Sequence, residues 1–141
     1  MRVEKVETKE KLEEAFSIRK KVFVEEQHVP HELEIDEYEN ESAHFVLYDE
    51  NHPIGTGIFR ILDGKGKVER ICVLKEFRGT GAGNRIMNAI ENHAKTHEVK
   101  VLKLNSQTSA IPFYEKIGYT IVSDEFMDAG IPHKTMEKDI L

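Results

Sequence analysis

Gly79, Gly81 and Gly83, every second residue in "RGTGAGNR", separate the apolar run "VERICVL" from the helix-like run "NRIMNAIENHAKTH". This junction restricts the fold more than any other feature of the chain. The run before it reads as a strand. After it, Ile86, Ile90 and Ala94 recur at helical spacing with Met87 beside them. A further strand-like run, "VKVLKLN", follows the helix. A strand–helix–strand unit over 67–105 implies a right-handed crossover and a locally parallel pair.

The rest of the chain is arranged around that unit. "RVEKVE" alternates well enough for a short strand with Val3 and Val6 inward, and Thr8 is placed to cap a helix. That helix carries Leu12, Ala15, Phe16, Val22 and Phe23 on one side and runs to about Gln27. "HELEIDEYENESAH" reads as a short acidic helix or loop. "HFVLYDE", "IGTGIFRIL" and "KVERICVL", joined by the turns "ENHP" and "DGKG", predict an antiparallel meander. "SAIPFYEKIGY" predicts a short helix with Ser109 as N-cap, Pro112 in the first turn and Gly118 as the stop. Two last strands fall around 119–124 and 133–138. The order is β-α-α-β-β-β-α-β-α-β-β, a mixed α/β fold with a mostly antiparallel sheet.

Composition narrows the function. The 141 residues, 39% hydrophobic and 33% charged, suit one soluble domain spanning 1–141. A net charge of -6 argues against nucleic-acid and anionic-membrane partners, which reward surplus Lys and Arg. Cys72 is the sole cysteine, so no intrachain disulfide forms. The opening "MRVEKVETKEKLEEAF" lacks the apolar core of a signal peptide, and no uncharged run nears about 18 residues. The expected location is the cytoplasm. The seven histidines show no metal-ligand spacing, so no metal is expected.

The glycines suggest a phosphate. A Walker A loop would end in Lys-Ser/Thr, whereas Gly83 is followed by Asn84 and Arg85. A dinucleotide fingerprint fails too, because its last glycine would fall on Asn84 or Ile86. What remains is Arg78-x-x-Gly81-x-Gly83 between a strand and a helix. Glycines permit close approach, the N–H groups of a helix start face an anion, and Arg78 adds a charge-assisted fork. The competing reading is a tight turn that needs glycine only for packing.

Two motifs together resemble the GNAT superfamily of acyl-CoA-dependent N-acetyltransferases. Arg78 to Gly83 matches its Gln/Arg-x-x-Gly-x-Gly/Ala signature, and "SAIPFYEKIGY" is similar to its Ala-x-x-Phe-Tyr-Glu-Lys-x-Gly-Phe/Tyr segment. The element order agrees along nearly the whole chain. "VFVEEQHVP", "EIDE", "VERICVLKEFRGTGAG" and "DAGIPH" look like the small bacterial ElaA/YjcF-like branch.

The resemblance implies a sheet splayed between its fourth and fifth strands, with acetyl-CoA in the opening. It implies that backbone groups of Ile71, Cys72 and Val73 hold pantetheine. Arg78, Gly79, Thr80, Gly81, Ala82, Gly83 and Asn84 are implied to hold the pyrophosphate. Gln107, where many relatives carry Asn, and Phe113 complete the implied cofactor set. Tyr114 becomes the candidate general acid toward sulfur, and Glu69 the candidate base through water, with His133 and His44 as alternatives. Cys72 reads as a small core residue rather than an acyl carrier.

The acceptor is expected to be an amine on a small molecule or peptide. Eight carboxylates between residues 22 and 41 (Glu25, Glu26, Glu32, Glu34, Asp36, Glu37, Glu39 and Glu41) would form a rim attractive to a cation, or simply a solvated acidic face. Two other classes remain open beside the transferase: a non-enzymatic acyl-CoA-binding module and an unrelated nucleotide-binding domain.

Overall fold

The computed structural model describes residues 1–30 and 42–141. Residues 31–41 of the acidic segment predicted as a helix or loop, with Glu32, Glu34, Asp36, Glu37, Glu39 and Glu41, lie outside them.

Strand β1 (Arg2–Lys5) leads into α1 (Lys9–Arg19). As expected, the Thr8 side chain accepts the Lys11 N–H at 3.2 Å, which fixes the helix start. The helix does not stay α to Gln27. From Lys20 to Glu26 it widens into a π-helix, closed by the Gln27 N–H on the Val22 carbonyl at 3.0 Å.

The meander follows as predicted: β2 (Ala43–Asp49), β3 (His52–Leu62) and β4 (Lys65–Val73). Its turns place Glu50–Asn51 and Asp63–Gly64 in the left-handed region, the geometry that matches strand twist in a two-residue hairpin. Next come α2 (Ala82–Thr96), β5 (Val101–Gln107) and the short α3 (Ile111–Lys116).

Three strands rather than two close the chain: β6 (Thr120–Ile121), β7 (Phe126–Asp128) and β8 (Ile131–Asp139). The extra one arises because "DAGI" is itself a hairpin turn, with Ala129 and Gly130 both at positive φ. Ser109 is not the cap of α3. It sits in a 3-10 turn (Thr108–Ala110), and α3 starts from Ala110 with no side-chain cap.

The sheet runs β1-β2-β3-β4-β5-β8-β6, with β7 also on β8. Every pairing is antiparallel except β4 with β5. Helix α2, the crossover between these two, buries Ile86, Met87, Ile90 and Ala94 on one face against Phe59, Val68, Leu102 and Leu104. On the opposite face α1 and the π-turn lay Ala15, Ile18 and Val22 over the sheet, with Cys72 among them. Among the described residues no helix is long and apolar enough to cross a membrane.

Candidate functional site

The parallel pairing of β4 with β5 is short. It joins Gly66, Val68 and the residue between them to Leu102–Leu104, and then stops. Beyond Val68 the strands part, so the β5-facing edge of Glu69–Val73 has no strand partner. A bulge begins at the same place. Thr56 faces Cys72 and Ile58 faces Glu69, which leaves Gly57 opposite both Arg70 and Ile71. Arg70 takes φ of 55°, a conformation costly for a residue with a Cβ. The edge that the fold leaves open is thus also re-aimed by one residue.

At the far end of β4 the chain turns through Lys75–Phe77 into the glycine loop. Gly81 is the N-cap of α2 at φ 84°, with no side chain capping the helix. The Arg85 N–H makes the first intrahelical bond, to the Gly81 carbonyl at 3.2 Å. The N–H groups of Ala82, Gly83 and Asn84 therefore have no acceptor within the helix. A Cβ at Gly79 or Gly81 would meet nothing within 4 Å, whereas one at Gly83 would lie 3.1 Å from the Phe113 ring. Gly83 lets an aromatic side chain close against the helix start, a packing duty that the phosphate argument did not foresee.

Between these features lies a cleft of about 720 Å³. Of the expected site residues, Glu69, Ile71, Cys72, Val73, Arg78, Gly79, Gly81, Ala82, Gly83, Gln107, Phe113, Tyr114 and His133 line it. Thr80, Asn84 and His44 do not. The Thr80 hydroxyl turns back onto the Phe77 carbonyl, and His44 lies buried on β2 against the edge of Phe16.

Arg78 departs most from expectation. Its fork grips Glu26 on the π-turn, Nη1 and Nη2 donating at 2.7 and 2.8 Å, and its Nε donates to the Val73 carbonyl at 3.0 Å. The side chain thus ties the loop to the strand end and to the helix above. The pair raises the guanidinium pKa and lowers that of Glu26, each chiefly through the shared hydrogen bonds. Beside it, the Gln107 side-chain Nε2 donates to the Gln27 side-chain Oε1 at 2.7 Å, joining β5 to the same helix end.

Tyr114 is 8% exposed on α3, its ring edge-on to Phe113 and Tyr119. Burial, and secondarily Cys72, push its phenol above the ordinary value, so it keeps its proton at neutral pH. Glu69 faces two guanidinium groups, with Arg60 Nε at 2.7 Å and Arg70 Nη1 at 3.6 Å. His133 lies with Nδ1 2.7 Å from the Ile131 carbonyl. In the neutral ring that bond places the proton on Nδ1 and the lone pair on Nε2.

Gln27, Lys67, Asn105 and Asp128 also line the cleft and were not singled out from the sequence. Only Lys67 carried a usable signal, because it alternates with Glu69 and so shares its face of β4. Among the described residues no three His, Cys, Asp or Glu side chains form a group that could hold a metal.

The family described as "Acetyltransferase (GNAT) domain" matches residues 4–140. Over 131 residues the chain is 54% identical to the uncharacterized N-acetyltransferase YjcF of Bacillus subtilis, covering 92% of this chain and 94% of that one. The crystal structure of Escherichia coli ElaA superposes with a TM-score of 0.85 at 20% identity, over 97% of this chain and 98% of the other. An acyl-CoA N-acyltransferase from Pseudomonas aeruginosa superposes with a TM-score of 0.87 at 19% identity, over 98% and 99%. At those identities the two structures speak for the fold alone.

Proposed function

The chain belongs to the GNAT acetyltransferase family, and on that premise we propose that it moves an acetyl group from acetyl-CoA to an amine in a ternary complex, using residues 1–141 as one catalytic domain. The observation that carries this reading is the opening of the sheet: a free β4 edge runs from Glu69 toward an uncapped helix start within one cleft. Both features fit the cofactor. A strand edge can hydrogen-bond an extended amide-bearing arm, and the N–H groups of Ala82, Gly83 and Asn84 suit a diphosphate.

Acetyl-CoA supplies, when bound, an acyl carbonyl activated by a thiolate leaving group. The chain's own residues do the rest. Ile71, Cys72 and Val73 present backbone groups to the arm, although Arg78 already occupies the Val73 carbonyl. Gly79, Thr80 and Gly81 shape the loop around the diphosphate, and Arg78 anchors it. Gln107 and Phe113 form the wall opposite β4. Tyr114 is the proposed general acid, since a phenol that keeps its proton can donate to the departing sulfur.

An alkyl amine, with a reference pKa near 10.4, arrives mostly protonated and must lose a proton before it attacks. Glu69 is the proposed base, acting through water while Arg60 and Arg70 hold its carboxylate in place. His133 offers a second route through Nε2. Glu69 and Asp128 line the same cleft and draw an ammonium toward it. The setting proposed for this reaction is the cytoplasm.

A thermal melt tests the reading. Acetyl-CoA at about 100 times its Kd adds ~2.7 kcal/mol, which raises Tm by roughly 5–10 °C. ATP and NAD are expected to leave Tm unchanged. A rise with either of these and none with acetyl-CoA overturns the assignment.

A further inference from the structure

Lys67 is a cation for which the acetyl-transfer chemistry has no use. It sits on β4 two residues before Glu69, and strand alternation turns both side chains to the same face of the sheet. The neighbouring Gly66 points the other way, since a Cβ there would strike Phe59 and Leu102 in the core. Lys67 lines the cleft, and with Leu62, Asp63, Lys65 and Lys103 it also lines a smaller adjoining hollow of about 220 Å³.

Two of its charged neighbours are already engaged. Lys65 pairs with Glu137 at 2.8 Å, and Glu69 is held by Arg60 and Arg70. Lys67, part-buried beside Lys103 in the parallel register, makes no hydrogen bond or ion pair with any described residue. Burial drives its pKa below the ordinary lysine value, aided by Lys103 and Arg60, while the fields of Glu69 and Asp128 act the other way. An ammonium has three N–H donors, and leaving them unfilled in a part-buried cleft is costly.

We propose that Lys67 binds an anionic group on the acceptor, so that the substrate class is an amine that also carries a carboxylate or a phosphate. The inference rests on the acetyl-transfer reading and narrows it. Two residues of strand separate Lys67 from Glu69, roughly 6–7 Å. An acceptor spanning both would hold its ammonium near Glu69 and its anion near Lys67, with a few bonds between them. The anion fills the donors that no described residue fills. A polyamine would place a second cation there instead.

The test is steady-state thiol release with saturating acetyl-CoA at fixed ionic strength, on matched amines. Butylamine is compared with 4-aminobutyrate and 1,4-diaminobutane, and ethanolamine with phosphoethanolamine. The expected result is a kcat/KM at least roughly tenfold higher for the anionic member of one pair, the size of one charge-assisted hydrogen bond. Which pair shows it separates carboxylate from phosphate. Lys67→Met should collapse that ratio toward one, and Lys67→Arg should restore most of it, with each variant's acetyl-CoA melt shift confirming an intact cofactor site. Preference for the diamine overturns the inference, as does a Lys67→Met variant that keeps the anionic preference. So does thiol release from no anionic amine while acetyl-CoA still raises Tm. If acetyl-CoA fails to raise Tm at all, the acetyl-transfer reading falls first and takes this inference with it.

Discussion

At the α2 end of the cleft the groups open to the proposed cofactor are backbone N–H donors at the helix start, those of Ala82 and Gly83 lining the cleft itself. At the β4 end they are side chains: Lys67 and Glu69 from β4, His133 from β8 and Asp128 from β7. A backbone site tolerates most side chains but demands particular dihedral angles, so its identity is carried by glycine at a few positions. A side-chain site can be retuned by single substitutions, because the strands beneath it are held by their own pairing. One end is thus suited to a ligand that never changes, and the other to a partner that can differ between relatives.

The largest expected effect breaks the backbone end. Gly81→Val forces a branched residue to φ near 84°, costing upward of ~1–2 kcal/mol, and places atoms where the loop must stay open. The acetyl-CoA melt shift should vanish while the ligand-free protein still melts cooperatively. A variant that retains the full shift would reduce the glycine loop to a turn.

Tyr114→Phe comes next and probes the middle of the cleft. It removes one oxygen and leaves the ring packing against Phe113 and Tyr119 in place. A proton donor acts in the transition state, so kcat should fall by roughly 10²–10⁴-fold with acetyl-CoA affinity nearly unchanged. The raised phenol pKa also means that this group does not set an alkaline limb near pH 10. Equal kcat under conditions where chemistry limits turnover would assign Tyr114 to packing.

The smallest effect sharpens the comparison, because Arg78 is a side chain serving the backbone end. If it anchors the loop through Glu26, Arg78→Ala and Glu26→Gln should each weaken acetyl-CoA binding, the latter by at most about fivefold, since the pair is part-exposed. Should Arg78 instead contact the diphosphate directly, Glu26→Gln would free its fork and tighten binding. Calorimetric titration of the two variants distinguishes these outcomes by sign.

The same contrast explains what could be read from the sequence. The meander, the crossover and the buried stripe Ile86, Met87, Ile90 and Ala94 follow from periodicity and turn residues, all local signals. The glycine loop was legible for the same reason. Lost to local reading was the β7–β8 hairpin, whose first turn position is Ala129 rather than the usual Asn, Asp or Gly, with Gly130 second. The partner of Arg78 was lost as well, because Glu26 is 52 residues away and is delivered by a π-turn that leaves no clear periodicity. Gln27 meets Gln107 across 80 residues of chain, a contact that only the fold creates.

The short β4–β5 pairing also acts as the vertex of a wedge. Hydrogen bonds seal the sheet at Gly66–Val68, and the gap widens from Glu69 toward the loop. A long ligand is therefore sorted by thickness, its slender part toward the vertex and its bulky part toward the wide mouth, before any polar group is read. If acetyl-CoA fills the wedge as proposed, the face that carries Lys67 and Glu69 is left for the acceptor.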